Sequence, residues 1–115
     1  MLIKISVEPG AAFDILSILE IKITNCENFR QRDALHEQKE RLQAEINQTI
    51  GYDFARKIYF SDFYTNLYNA NLAVFDQIDK EKSNADLLNY ERFVAKKNLQ
   101  EEFFHEEIAE VKLGF

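Results

Sequence analysis

A mainly helical single domain spanning residues 1–115, either a bundle or a long helical hairpin, is the fold class this sequence predicts. Three observations carry it. The chain holds only 3 Gly and 1 Pro in 115 residues, too few to punctuate a hairpin-rich β fold. Apolar residues recur three and four apart over most of its length, the spacing of a helix face. Period-two alternation is confined to short stretches at the two ends. With 46% hydrophobic and 30% charged residues, the composition is that of a packed globular chain. Its length supports one hydrophobic core without metals or disulfides.

Leu2–Val7 alternates, with Ile3, Ile5 and Val7 on one side and Lys4 and Ser6 on the other, which predicts a short half-buried strand. Pro9-Gly10 ends it. At the other end Val111, Leu113 and Phe115 alternate with Lys112 and Gly114, and the two termini are expected to pair as a small ribbon. Between them, Phe13, Ile15, Leu16, Ile18, Leu19, Ile21 and Ile23 surround almost the whole circumference of a first helix. They leave a narrow polar seam of Ser17, Glu20 and Thr24, so this helix must be covered on nearly every side.

Asn25 closes the first helix, and Asn28 with Gln31 three residues later forms a capping-box-like start for the second. Leu35, Leu42 and Ile46 make the second helix's apolar stripe, and Gly51 is placed to act as its left-handed stop. The stretch from Tyr52 to Tyr68 holds seven aromatic residues, which reads as core or interface. Ser61 is a cap for a helix carrying Phe63, Leu67, Ala70, Val74 and Ile78 at helical spacing, flanked by Tyr64, Tyr68 and Phe75. Asp79–Asn84 is a charged connection. A last helix runs from about Ala85 to about Ile108 with two stripes, one of Tyr90, Phe93, Phe104 and Ile108, the other of Leu88, Leu99 and Phe103.

Charge excludes some partners. A formal net charge of −6 argues against nucleic acid and anionic membranes, because phosphate binding rests on Lys and Arg. The basic residues Arg30, Arg32, Lys39, Arg41, Lys96 and Lys97 are interleaved with acids and amides, as on solvated helix faces. Cys26 stands alone, which predicts a reducing compartment and no disulfide. With no secretory signal and no apolar run long enough to span a bilayer, the expected location is cytoplasmic.

Catalytic and cofactor motifs give no support for an enzyme: there is no Gly-rich phosphate loop, Gly-x-Ser-x-Gly, His-Glu-x-x-His or Cys-x-x-Cys. No cofactor and no metal are expected. Two acid-x-x-His spacings, Asp33/His36 and Glu102/His105, resemble half of a di-metal bundle site that Glu20 together with Asp62 or Asp76 would complete. At about 100° per residue, however, Asp33 stands opposite the Leu42–Ile46 stripe and Glu102 opposite Phe104. Ligands aimed outward cannot share one buried site. Asn71 and Glu20 fall on apolar or narrow polar sectors, where each must find partners or cost about 1 to 3 kcal/mol.

Ile3-x-Ile5-x-Val7-x-Pro9-Gly10, then Asp14 and Ile18-Leu19-Glu20-Ile21-Lys22, resembles the start of a family of small bacterial proteins of unknown function. Leu67-x-x-Ala70-Asn71-x-x-Val74-Phe75 is similar to that family's middle helix, with Phe75 where Trp is usual. Asn89-x-x-Arg92-x-x-Ala95-Lys96 is similar to its last helix, with Tyr90 in place of Asp. The resemblance carries no catalytic residue, and it nominates Asp14, Glu20, Lys22, Asn71, Asn89, Arg92 and Lys96 as ligand-binding candidates.

Two functions are therefore expected to compete. In the first, a non-enzymatic helical protein self-associates, or binds a protein partner, through aromatic faces that include Phe63, Tyr64, Tyr68, Phe75, Phe93, Phe103 and Phe104. A C2 homodimer is its expected form, because a monomer this small leaves apolar surplus uncovered. In the second, a small-ligand-binding protein or small enzyme builds a polar pocket around Glu20, Lys22 and Asn71.

Overall fold

The computed structural model describes residues 7–76 and 85–113, with side chains of the second stretch described for residues 86–104. Five helices make up the described residues: α1 (Pro9–Asn25), α2 (Phe29–Ile50), α3 (Tyr52–Tyr59), α4 (Asp62–Asp76) and α5 (Ala85–Leu113). No described residue is in a strand. The N-terminal strand expected at Leu2–Val7 lies outside the described residues except for Val7, which is irregular. Val111 and Leu113 belong to α5, so the expected terminal ribbon is corrected. Glu110, Val111, Lys112 and Leu113 continue an established helix at one backbone hydrogen bond per residue, and a three-residue alternation is too short to compete.

The architecture is a bundle rather than a hairpin, because α1 packs against α2, α4 and α5 at once. Its nearly all-round apolar surface requires those neighbours. Phe13, Leu16, Leu19 and Ile21 are buried, whereas Ile15 stays exposed. One core joins Phe13 and Leu16 to Ile46, Ala55, Ile58, Tyr64, Leu67, Leu99 and Phe104. Among the described residues no helix is long and apolar enough to cross a membrane.

Local chemistry explains the boundaries. Pro9 begins α1, since its fixed φ and missing N–H suit the first helical position. Asn28 starts α2 by accepting hydrogen bonds from the Arg30 and Gln31 amides at 3.0 and 3.1 Å, and Ser61 Oγ accepts from the Tyr64 amide at 3.2 Å to start α4. Gly51 separates α2 from α3 with φ 91° and ψ 145°, a conformation that side chains strongly disfavour. The turn after α2 is therefore extended at positive φ, not the left-handed helical stop expected. The eight-residue α3 is an addition to the sequence reading; it buries Ala55 and Ile58.

Candidate functional site

The polar seam of α1 is the chemically distinctive feature of the fold. Gly10, Asp14, Ser17 and Glu20 are spaced by four, three and three residues, so they form a row along one face. That row turns inward. Every position bonds to at least one other helix, and the row is where α1, α4 and α5 are held together.

At its centre Asp14 and Asn71 are only 5% and 4% exposed. Asn71 Nδ2 donates to Asp14 Oδ1 at 2.8 Å and to Ser17 Oγ at 2.7 Å, tying α4 to α1. Arg92 Nη2 donates to Asp14 Oδ2 at 2.7 Å, tying α5 to the same carboxylate. Ser17 Oγ donates in turn to the Asp14 carbonyl at 2.8 Å. Both carboxylate oxygens and the hydroxyl proton are thus committed, and the charge of Asp14 is paired inside the bundle. With its proton held on a backbone carbonyl, Ser17 has no adjacent base to make it a nucleophile.

Below this centre the Gly10 amide donates to Gln100 Oε1 on α5. Glu8, the residue in the cap position of α1, makes no side-chain cap bond, so a side chain 90 positions away satisfies one of the free amides of the first turn. Above the centre, Glu20 Oε2 accepts from the Tyr59 hydroxyl at 2.6 Å and Oε1 from the Tyr64 hydroxyl, while Lys39 Nζ lies 3.6 Å from Oε2, the oxygen that Tyr59 also engages. The two rings stack with centroids 4.9 Å apart. Burial first, then the hydrogen bond and charge of Glu20, raise Tyr59 to about 12; the same causes push Tyr64 further in the same direction.

Four of the seven nominated ligand residues therefore enter the seam: Asp14, Asn71 and Arg92 meet directly, and Glu20 anchors a separate cluster. Lys22 and Asn89 are exposed and Lys96 is half-buried, and Lys22 is not among the side chains bonded to Glu20 or Asn71. The sequence reading missed Tyr59, Lys39 and Gln100 as partners, because each is supplied by a distant helix with no local motif. Ser17 was legible as a seam residue, and its spacing from Asp14 and Glu20 was the available signal.

The aromatic residues divide differently from the expected interface. Tyr64 and Phe104 are buried in the core, a correction that follows from edge-on packing of Tyr64 against Phe13 at 6.1 Å and Phe104 against Phe54 at 5.5 Å. Phe63 and Phe103 pack on each other at 5.7 Å and, like Tyr68 and Phe75, are half-buried. Of the residues nominated for the interface, Phe93 is exposed. Asp33, His36 and Glu102 are exposed, and the side chain of His105 lies outside the described residues. Among the described residues no group of His, Cys, Asp and Glu side chains is placed to hold a metal ion.

Comparisons of the chain with models of known families, with curated proteins and with solved structures gave no match, so the resemblance described above rests on its motifs alone.

Proposed function

We propose that this protein is a non-enzymatic helical module that binds a second copy of itself through the outer face of α4 and α5. The observation that carries the reading is the apolar exposure of α5: Leu87, Tyr90 and Phe93 remain 58%, 64% and 55% exposed, although the chain has ample core to bury rings elsewhere. Beside Tyr90 lies a groove of about 430 Å³ between α4 and α5, floored by Ala70, Ala73, Val94 and Ala95 and rimmed by Asn66, Asn69 and Asn98.

A projecting ring next to a small-residue groove is self-complementary under two-fold symmetry, since each copy's Tyr90 enters the other's groove. Charge favours a like partner. The chain carries 20 acidic residues, yet among the described residues Glu91 is the one charged side chain lining the groove, so these walls of two acidic copies meet with little repulsion. The bonds of the α1 seam support the same reading, because they tie α1 to α4 and α5.

Sedimentation equilibrium over a concentration series tests the proposal. The expected result is a concentration-dependent monomer–dimer equilibrium that Leu87→Ser/Tyr90→Ser shifts to monomer while far-UV circular dichroism is unchanged. A wild-type chain that stays monomeric at every concentration overturns it.

A further inference from the structure

We propose that a second site, the cleft where α1, α2 and α3 meet, binds a small aryl carboxylate. The cleft measures about 260 Å³ and is open on one side. A cavity of roughly 150 Å³ holds a benzene ring, so this one accommodates a ring with a short acidic arm. Its floor is apolar, made by Phe13, Leu16 and Ile46. Its rim is aromatic, and both rim rings, Tyr52 and Phe60, are largely exposed.

Arg56 decides the ligand's charge. Among the described residues it is the sole charged side chain lining the cleft, in a protein whose net charge is −6. Its guanidinium is held in place from two sides, 5.5 Å from the Tyr52 centroid and 5.2 Å from the Phe60 centroid. Nη1 donates to the Tyr52 hydroxyl at 3.0 Å, which uses one of five N–H groups. Among the described residues no carboxylate pairs with it. A fixed, unneutralised guanidinium at the mouth of an apolar cleft matches a planar carboxylate, which it grips with two parallel hydrogen bonds. Gln43 and Asn47 on α2 supply neutral amides along the opposite wall. The exposed rings give the ligand's own ring stacking partners. A bare inorganic anion would leave the apolar floor unused, and a neutral arene would leave Arg56 unused.

The test is an amide-resolved NMR titration of the full chain with phenylacetate, phenylacetamide and acetate. The expected result is saturable shifts with phenylacetate at Tyr52, Arg56, Gln43 and Asn47, and at least about tenfold weaker binding of both comparison compounds. Arg56→Gln is expected to lower phenylacetate affinity to the phenylacetamide level. Because Arg56 is exposed, the variant should keep the wild-type circular dichroism; should it fail to fold, the phenylacetamide comparison on the wild type still decides. Absence of saturable shifts at these residues, or equal affinity for phenylacetamide, overturns the proposal. Neither outcome bears on self-association, which uses α4 and α5.

Discussion

At the scale of single residues, the seam is a set of polar groups that would each be costly if left alone. Asn71→Ala removes two hydrogen bonds at once and leaves Asp14 Oδ1 and Ser17 Oγ short of a donor. The expected loss is about 1 to 3 kcal/mol of unfolding free energy in urea titrations. Tyr59 gives a pH signature. Its folded value is raised from 10.0 to about 12, so the folded state holds its proton where the unfolded chain releases it. The stability this contributes is complete below pH 10 and is lost as pH climbs toward 12. Urea midpoints measured across that window should fall with pH, and Tyr59→Phe should flatten the fall. Asn71 and Glu20 were legible in the sequence as polar residues needing partners, because helical spacing placed them on apolar or narrow sectors. Which atoms would satisfy them was not legible, since hydrogen bonds between residues 39 to 57 positions apart depend on how whole helices dock.

Among the elements, boundaries set by side-chain chemistry were readable and those set by continuation were not. Asn28 and Ser61 announced α2 and α4, because a cap acts within three residues of itself. The far end of α5 was misread: three alternating apolar residues imitate a strand, whereas a helix already nucleated extends through them. The short α3 was missed although Phe54, Ala55 and Ile58 recur three and four apart opposite charged residues, because its two turns lie inside an aromatic run and are too few for the period to mark a separate helix. Gly51 is the strictest local requirement. A Cβ there meets nothing within 4 Å, so a substitution tests backbone conformation alone. Gly51→Ala should cost about 1 to 3 kcal/mol, the strain of a side chain at that φ and ψ, read as a lower thermal midpoint with the helical spectrum retained. Gly10 is constrained by contact instead, since its Cβ would lie 3.1 Å from Gln100 Cβ and closer still to Oε1.

For the whole molecule, an almost wholly apolar first helix demanded neighbours on most sides, and the bundle supplies three. The division of rings between core and surface could not be read from their number. Phe54, Phe63, Phe103 and Phe104 use one another, which leaves a smaller exposed set on α5 than composition implied. If that set is covered by a second copy, thermal unfolding should depend on protein concentration, with the midpoint rising on each tenfold increase and the Leu87→Ser/Tyr90→Ser chain showing no such dependence. The bond between Gly10 and Gln100 carries a consequence for biosynthesis. A ribosome makes a chain in one direction, and early helices ordinarily settle while later ones are still being translated. Here α1 emerges before every other described helix, yet its opening turn stays exposed to water until the codon for residue 100 has been read and α5 has docked. A ribosome stalled anywhere before that point should hold a nascent chain whose first helix frays at its start.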